Sequence, residues 1–193
     1  LPEEYLLLRK CGVLCDQADR ATVAVRGRLH RALMDLFCDY SFKGNFLYST
    51  SGRALMDKYG CNPYRIVRAG RTRFERALRR RAPRIQQRSL GRLWEDAAAS
   101  VRHQVTPDYA ELLELQVRQL WEEFVLHEQR KATLEKRLIS LLRRLRQKDP
   151  NLPAPTSGVI SAKSLARLIG ETGPLSDLWA CPRGRRRSQP PDP

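Results

Sequence analysis

Residues 65–92 hold eleven arginines, Arg65, Arg68, Arg71, Arg73, Arg76, Arg79, Arg80, Arg81, Arg84, Arg88 and Arg92, against Glu75 alone. They carry +10 of the formal net charge of +15 on this 193-residue chain. Lysine occurs only 7 times among the 36 basic residues, so arginine dominates the positive charge throughout. The planar guanidinium presents a fork of donors that matches phosphate oxygens, and the chemistry this cluster suggests is polyanion binding. Such contacts orient a nucleic acid without reading its bases, and they weaken as salt rises. A plainer reading is compositional bias that leaves a solvated helical face. Against it, residues 1–64 carry a net +2, and residues 93–150 balance at 10 basic and 10 acidic side chains. The candidate phosphate ligands are Arg65, Arg68, Arg71, Arg73, Arg76, Arg79, Arg80, Arg84 and Arg88.

A smaller candidate follows the proline-rich stretch 149–155. Gly158 and Val159 form a tight turn before Ser161, a potential helix cap, and backbone amides in such a turn can hold a phosphate. The same pattern also serves as an ordinary helix start.

Other chemistry lacks its residues. The chain has no Gly-x-x-x-x-Gly-Lys loop, no metal-ligand spacing and no nucleophile with a base nearby. Asp16, Asp19, Asp35 and Asp39 share one amphipathic stretch, whereas two-metal catalysis needs carboxylates converging from several elements. No catalytic and no metal-binding residue is assigned. His30, His103 and His127 are solitary, and Trp94 and Trp121 fall at core spacing. Cys11, Cys15, Cys38, Cys61 and Cys181 are scattered and read as free thiols. No apolar run reaches the ~18–20 residues that span a bilayer, and Leu6–Leu8 follow Glu3 and Glu4, so a soluble, cytoplasmic protein without membrane partners is expected.

The elements that must position the arginines read as all-α. Residues 3–40 form one helix with a stripe of Leu7, Cys11, Leu14, Ala18, Ala21 and Val25, continued alongside by Leu29, Leu33 and Leu36. A loop from Ser41 ends in a cap at Ser51, and a helix over 53–59 stops at Gly60, before Asn62-Pro63. Thr72 is expected to cap a helix to about Arg81, with Phe74, Ala77 and Leu78 inward and Arg73, Arg76 and Arg80 outward. A further helix covers 84–103, with Leu90, Leu93, Trp94, Ala97 and Val101 on its core side. Thr106-Pro107-Asp108 opens a long helix to about Lys148. Its seam of Leu113, Val117, Leu120, Phe124, His127, Lys131, Leu134, Leu138, Leu141 and Leu145 is heptadic over roughly 60 Å. The expected partner is residues 3–40 folded back antiparallel, or the same helix of a second molecule. His127 and Lys131 either fix register or mark where the partner diverges.

The domains expected are a first coiled-coil helix and loop (1–50), an arginine-rich module (51–105), a second coiled-coil helix (106–149), the start of another domain (150–178) and a disordered basic tail (179–193).

This order of parts carries a resemblance. A helix containing Val25-Arg26-Gly27-Arg28-Leu29-His30-Arg31-Ala32-Leu33 is followed by a loop, small helices and Ala97-Ala98-Ala99-Ser100. A long heptad helix and Gly158-Val159-Ile160-Ser161-Ala162 complete the series. Over about residues 2–178 the chain resembles the middle of bacterial transposases of the insertion-sequence one-ten family, grouped with one-sixteen and nine-oh-two. The resemblance implies a RuvC-like carboxylate domain upstream of Leu1, a transposase domain opening at the helix-hairpin-helix-like Gly158-Val159 turn, and a serine nucleophile downstream of Leu178. It also implies a magnesium-dependent, oligomeric DNA recombinase guided by a structured bridge RNA. Residues after Leu178 depart from the family and read as a frameshifted tail, in which Ser188 is not the family's serine. The expectation is a transposase fragment that binds DNA and structured RNA and self-associates, with magnesium belonging to the intact family and no cofactor to this chain. The alternative is an autonomous coiled-coil nucleic-acid-binding or scaffold protein.

Overall fold

The computed structural model describes residues 3–37, 45–103, 106–150, 152–155 and 160–174. Among them are seven α-helices and no β-strand: α1 (Glu3–Leu36), α2 (Thr50–Tyr59), α3 (Pro63–Ala69), α4 (Arg71–Arg81), α5 (Gln87–His103), α6 (Pro107–Lys148) and α7 (Ala162–Thr172). Two compact units divide the chain, residues 21–128 and residues 1–20 together with 129–193, so both long helices contribute to each.

In the unit of residues 21–128, Arg28 reaches Glu123 at 2.6 Å and Arg26 lies 3.7 Å from Glu128. Rising numbers in α1 thus meet falling numbers in α6, as an antiparallel pair requires. Leu113, Val117, Leu120 and Phe124 of the α6 seam are buried together with Val25, Leu29, Leu33 and Leu36. The same core also takes in Ile66 of α3, Phe74 and Leu78 of α4, and Leu90, Leu93 and Ala97 of α5. A heptad seam implies a single partner helix; here the seam is shared among several, because α2–α5 bring apolar faces of their own. Each fully buried residue of this size contributes about 1.5–3 kcal/mol relative to exposure.

Short connections fix α2–α5. A 3-10 turn at Phe46–Tyr48 precedes α2, whose cap is Ser49 and not the expected Ser51, its hydroxyl accepting from Gly52 N at 3.3 Å. Glycine is required at position 52, since a Cβ would lie 2.2 Å from the Leu47 carbonyl oxygen. Gly60, at φ 59°, ends α2 in the left-handed region. The Asn62-Pro63 pair, expected only to break the chain after Gly60, opens a helix: the Asn62 side chain accepts from Tyr64 N and Arg65 N, with Pro63 in the first turn. Gly70, at φ 75°, joins α3 directly to α4, so that helix begins at Arg71 without the expected Thr72 cap. The next helix begins at Gln87, three residues after the expected Arg84, because Ala82–Gln86 is taken up by a turn closed by Ile85 N to Ala82 O.

In the unit of residues 1–20 and 129–193, Tyr5, Leu8, Cys11 and Cys15 pack with Leu138, Leu141, Leu142 and Leu145 of α6 and with Leu152, Leu165, Ala166 and Ile169. The inward stripe of α1 therefore runs through Leu8 and Cys15, and the expected Leu7 and Leu14 are 46% and 38% exposed. Three consecutive leucines at 6–8 leave the phase open in sequence, and the continuous path into Val25, Leu29, Leu33 and Leu36 decides it. Helix α7 lies so close to α1 that a Cβ on Gly170 would sit 3.0 Å from Arg9 N. Lys131, a polar residue in the α6 seam, meets Asp19 at 2.7 Å, and Arg167 of α7 reaches Asp19 at 2.9 Å and Asp16 at 3.2 Å. Among the described residues no helix is long and apolar enough to cross a membrane.

Candidate nucleic-acid interface

The arginines of residues 65–92 occupy α3, α4, the following turn and the first half of α5, and all eleven are exposed. Phe74 and Leu78 anchor α4 with no exposure. With that face inward, Arg73, Arg76 and Arg80, three and four residues apart, are turned to solvent. Arg88 and Arg92, one turn apart on α5, rise by about 6 Å.

The cluster divides by what each guanidinium already holds. Arg65 lies 3.1 Å from the buried carboxylate of Glu114 on α6. Arg71 binds Glu75 at 3.1 Å, lies 3.6 Å from Glu95 and sits over the Trp94 ring at 5.8 Å. Arg79 donates to the Gln87 amide oxygen, and the Gln87 amide nitrogen donates to Glu75 at 2.8 Å. That hydrogen bond, with help from Arg71, holds the Glu75 carboxyl below the usual carboxylate range, so it stays ionised beside the arginines. Arg81 lies 3.7 Å from Asp57. Arg68, Arg73, Arg76, Arg80, Arg84, Arg88 and Arg92 make no ion pair or hydrogen bond with another described residue. Thr72, Glu75, Arg76, Arg79, Arg80 and Gln87 line an open depression between α4 and the start of α5. This arrangement presents charge to an extended anion but provides no enclosed pocket for a small one.

Glu114 is the residue that sequence reading did not find. Its side chain, 4% exposed, accepts from Asn62 Nδ2 at 2.8 Å and from Arg118 Nε and Nη2 at 2.8 and 2.7 Å, besides meeting Arg65. Asn62 also caps α3, so this carboxylate ties the start of the arginine module to α6. Nothing local announces the link, because 52 residues separate Asn62 from Glu114.

Of the second candidate, Gly158 and Val159 lie outside the described residues, as does the tail after Pro174. Ser161 is described: its hydroxyl caps α7 by accepting from Ser164 N at 3.1 Å. Among the described residues no three His, Cys, Asp or Glu side chains are placed to hold a metal ion. Asp16 and Asp19 are engaged by Arg167 and Lys131, an arrangement that does not suit magnesium.

A second basic segment was hidden by the balance of residues 93–150. Its acids are concentrated in residues 93–128, whereas residues 129–148 hold Arg130, Lys131, Lys136, Arg137, Arg143, Arg144, Arg146 and Lys148 against Glu135. A shorter counting window would have revealed it. Comparison of the chain with protein-family models, with curated proteins and with solved structures finds no match.

Proposed function

We propose that the chain binds the sugar-phosphate backbone of nucleic acid through the arginine face of α3–α5, as a non-catalytic, self-associating part of a transposase of the insertion-sequence one-ten type. The observation that carries the binding reading is the row Arg68, Arg73, Arg76, Arg80, Arg84, Arg88 and Arg92, exposed and without an acidic partner among the described residues. All but Arg84, which lies in the turn after α4, stand on helices whose opposite faces are fixed in a core. With the backbone fixed, only side-chain freedom is lost when phosphates arrive, and each contact releases a counterion. The transposase assignment rests on the order of sequence segments. The face can serve structured RNA and duplex DNA alike, since backbone contacts carry no base information.

The test is a titration of the chain with a structured RNA hairpin and with a DNA duplex between 50 and 200 mM salt. The reading expects log affinity to fall linearly with log salt, with a slope of about 0.9 per duplex phosphate contact or about 0.7 per single-strand contact. Absence of binding to both at 50 mM salt would return the face to solvated surface and leave the chain as a scaffold.

A further inference from the structure

We infer that the second half of α6 carries a separate phosphate-binding stripe, formed by Arg130, Arg137 and Arg144 with Lys136 and Arg143, which takes a nucleic-acid backbone as its ligand. The inference goes beyond the α3–α5 face and does not depend on it.

Arg130, Arg137 and Arg144 are seven residues apart, so they fall on one line along the helix, and Lys136 and Arg143, at the same interval, form a second line about 100° around it on the same exposed face. The stripe runs 14 residues, about 21 Å at 1.5 Å per residue. All five side chains are exposed, and none makes an ion pair or hydrogen bond with another described residue. Of the segment's other charges, Arg146 is partly buried with its Nε unbonded, and the remaining three are engaged. Lys131 is held by Asp19, Lys148 by Glu4, and Glu135, the segment's acid, by Lys163. The opposite side of this stretch is fixed, because Leu138, Leu141, Leu142 and Leu145 are buried against α1 and α7.

Two plainer explanations fall short. Cations in the last turn of a helix are favoured by its dipole, which accounts for Arg146 and Lys148. The effect fades within a turn, and Arg130, Lys136 and Arg137 lie several turns away. A membrane surface is the other polyanion a basic helix face can meet, but such helices pair their cations with large apolar side chains that enter the acyl boundary. Here the exposed positions 129, 130, 132, 133, 136, 137, 140, 143, 144 and 147 include no large apolar residue. Only the charge is available, and it is mostly guanidinium, which suits phosphate forks.

The test compares the full chain with the triple variant Arg130→Gln, Arg137→Gln, Arg144→Gln, using a 20-base-pair DNA duplex, an RNA hairpin and vesicles containing phosphatidylserine. Because these side chains are exposed and make no ion pair or hydrogen bond with another described residue, with long-range attraction between Arg144 and Glu4, the variant should keep a melting temperature close to the parent's. The expected result is a duplex salt slope lowered by roughly 2.7, so that between 50 and 200 mM salt the parent loses about 40-fold more affinity than the variant. Unchanged affinity and slope on both nucleic acids would overturn the inference, as would a loss confined to the vesicles. A parallel variant, Arg73→Gln, Arg76→Gln, Arg80→Gln, Arg84→Gln, keeps the two claims apart. If that variant alone flattens the slope, the stripe is refuted and the α3–α5 reading stands. If the α6 variant alone does so, the stripe stands and the α3–α5 reading falls.

Discussion

Replacing Glu114 with alanine removes a carboxylate on which three side chains depend, Asn62, Arg65 and Arg118. The cost can be worked from its partners. Asn62 is 2% exposed, and its amide loses an ionised acceptor 2.8 Å away while staying buried. A hydrogen bond to a charged group contributes about 1.5–3 kcal/mol, and leaving the buried donor unsatisfied places the loss toward the upper end. Arg65 and Arg118 are 55% and 41% exposed, so they turn to water, and each ion pair adds only about 0.5 kcal/mol. The total is about 3–4 kcal/mol. In a chain of this length that lowers Tm by roughly 6–16 °C, at about 2–4 °C per kcal/mol. Glu114→Gln keeps an acceptor for Asn62 and should cost about 1–2 kcal/mol. The assay is denaturant unfolding of parent and both variants, with the salt slope of nucleic-acid binding measured alongside. Releasing Arg65 should raise that slope by no more than about 0.9. An alanine variant within 1 kcal/mol of the parent, or a glutamine variant as costly as alanine, would refute the claim that this carboxylate holds the module to α6.

Other consequences follow from particular contacts. Gly170→Ala places a Cβ 3.0–3.1 Å from the backbone of Leu8 and Arg9, so α7 must shift. A loss of about 1–3 kcal/mol is expected, read as faster hydrogen exchange across α7. The Asp19 carboxyl is held below its ordinary value by hydrogen bonds from Lys131 and then Arg167. Its contribution is therefore present above the unfolded pKa of about 3.9 and lost as pH falls through the lower folded value. Asp19→Asn should lower stability at neutral pH and remove that part of the acid sensitivity, measured as the midpoint of acid unfolding. Burial pushes the Cys61 thiol far up, and the neighbouring Glu114 carboxylate adds to the effect. Cys61 should react with a thiol reagent only as fast as the unit of residues 21–128 opens, whereas labelling at the rate of a free peptide thiol would show the site is not closed.

Long-period features were legible in the sequence, and junctions were not. The α6 helix ends where its pattern ends, and Thr106 caps it, with Tyr109 N donating to its hydroxyl at 3.3 Å. The arginine face follows from Phe74 and Leu78, whose spacing alone orients α4. Short junctions misled because equivalent residues compete there: Ser49 and Ser51 are both possible caps, and only the approach of Leu47 to Gly52 selects the first. Helix α3 was missed because seven residues show too little periodicity, although Asn62 before Pro63 is a helix start. Which arginines are already paired was not legible, since Arg65 and Arg81 find their acids on other helices. A heptad seam reports that a helix is covered, and only the apolar faces of α3, α4, α5 and α7 reveal by what.

The most direct test of the central claim is the salt dependence of nucleic-acid binding by the variant Arg73→Gln, Arg76→Gln, Arg80→Gln, Arg84→Gln, set against the parent on the same duplex. Four exposed guanidiniums meeting four phosphates predict a slope shallower by roughly 3.6, with the melting temperature unchanged. A variant that binds with the parent's slope and affinity would contradict the account, because the face on which it rests would then touch no phosphate.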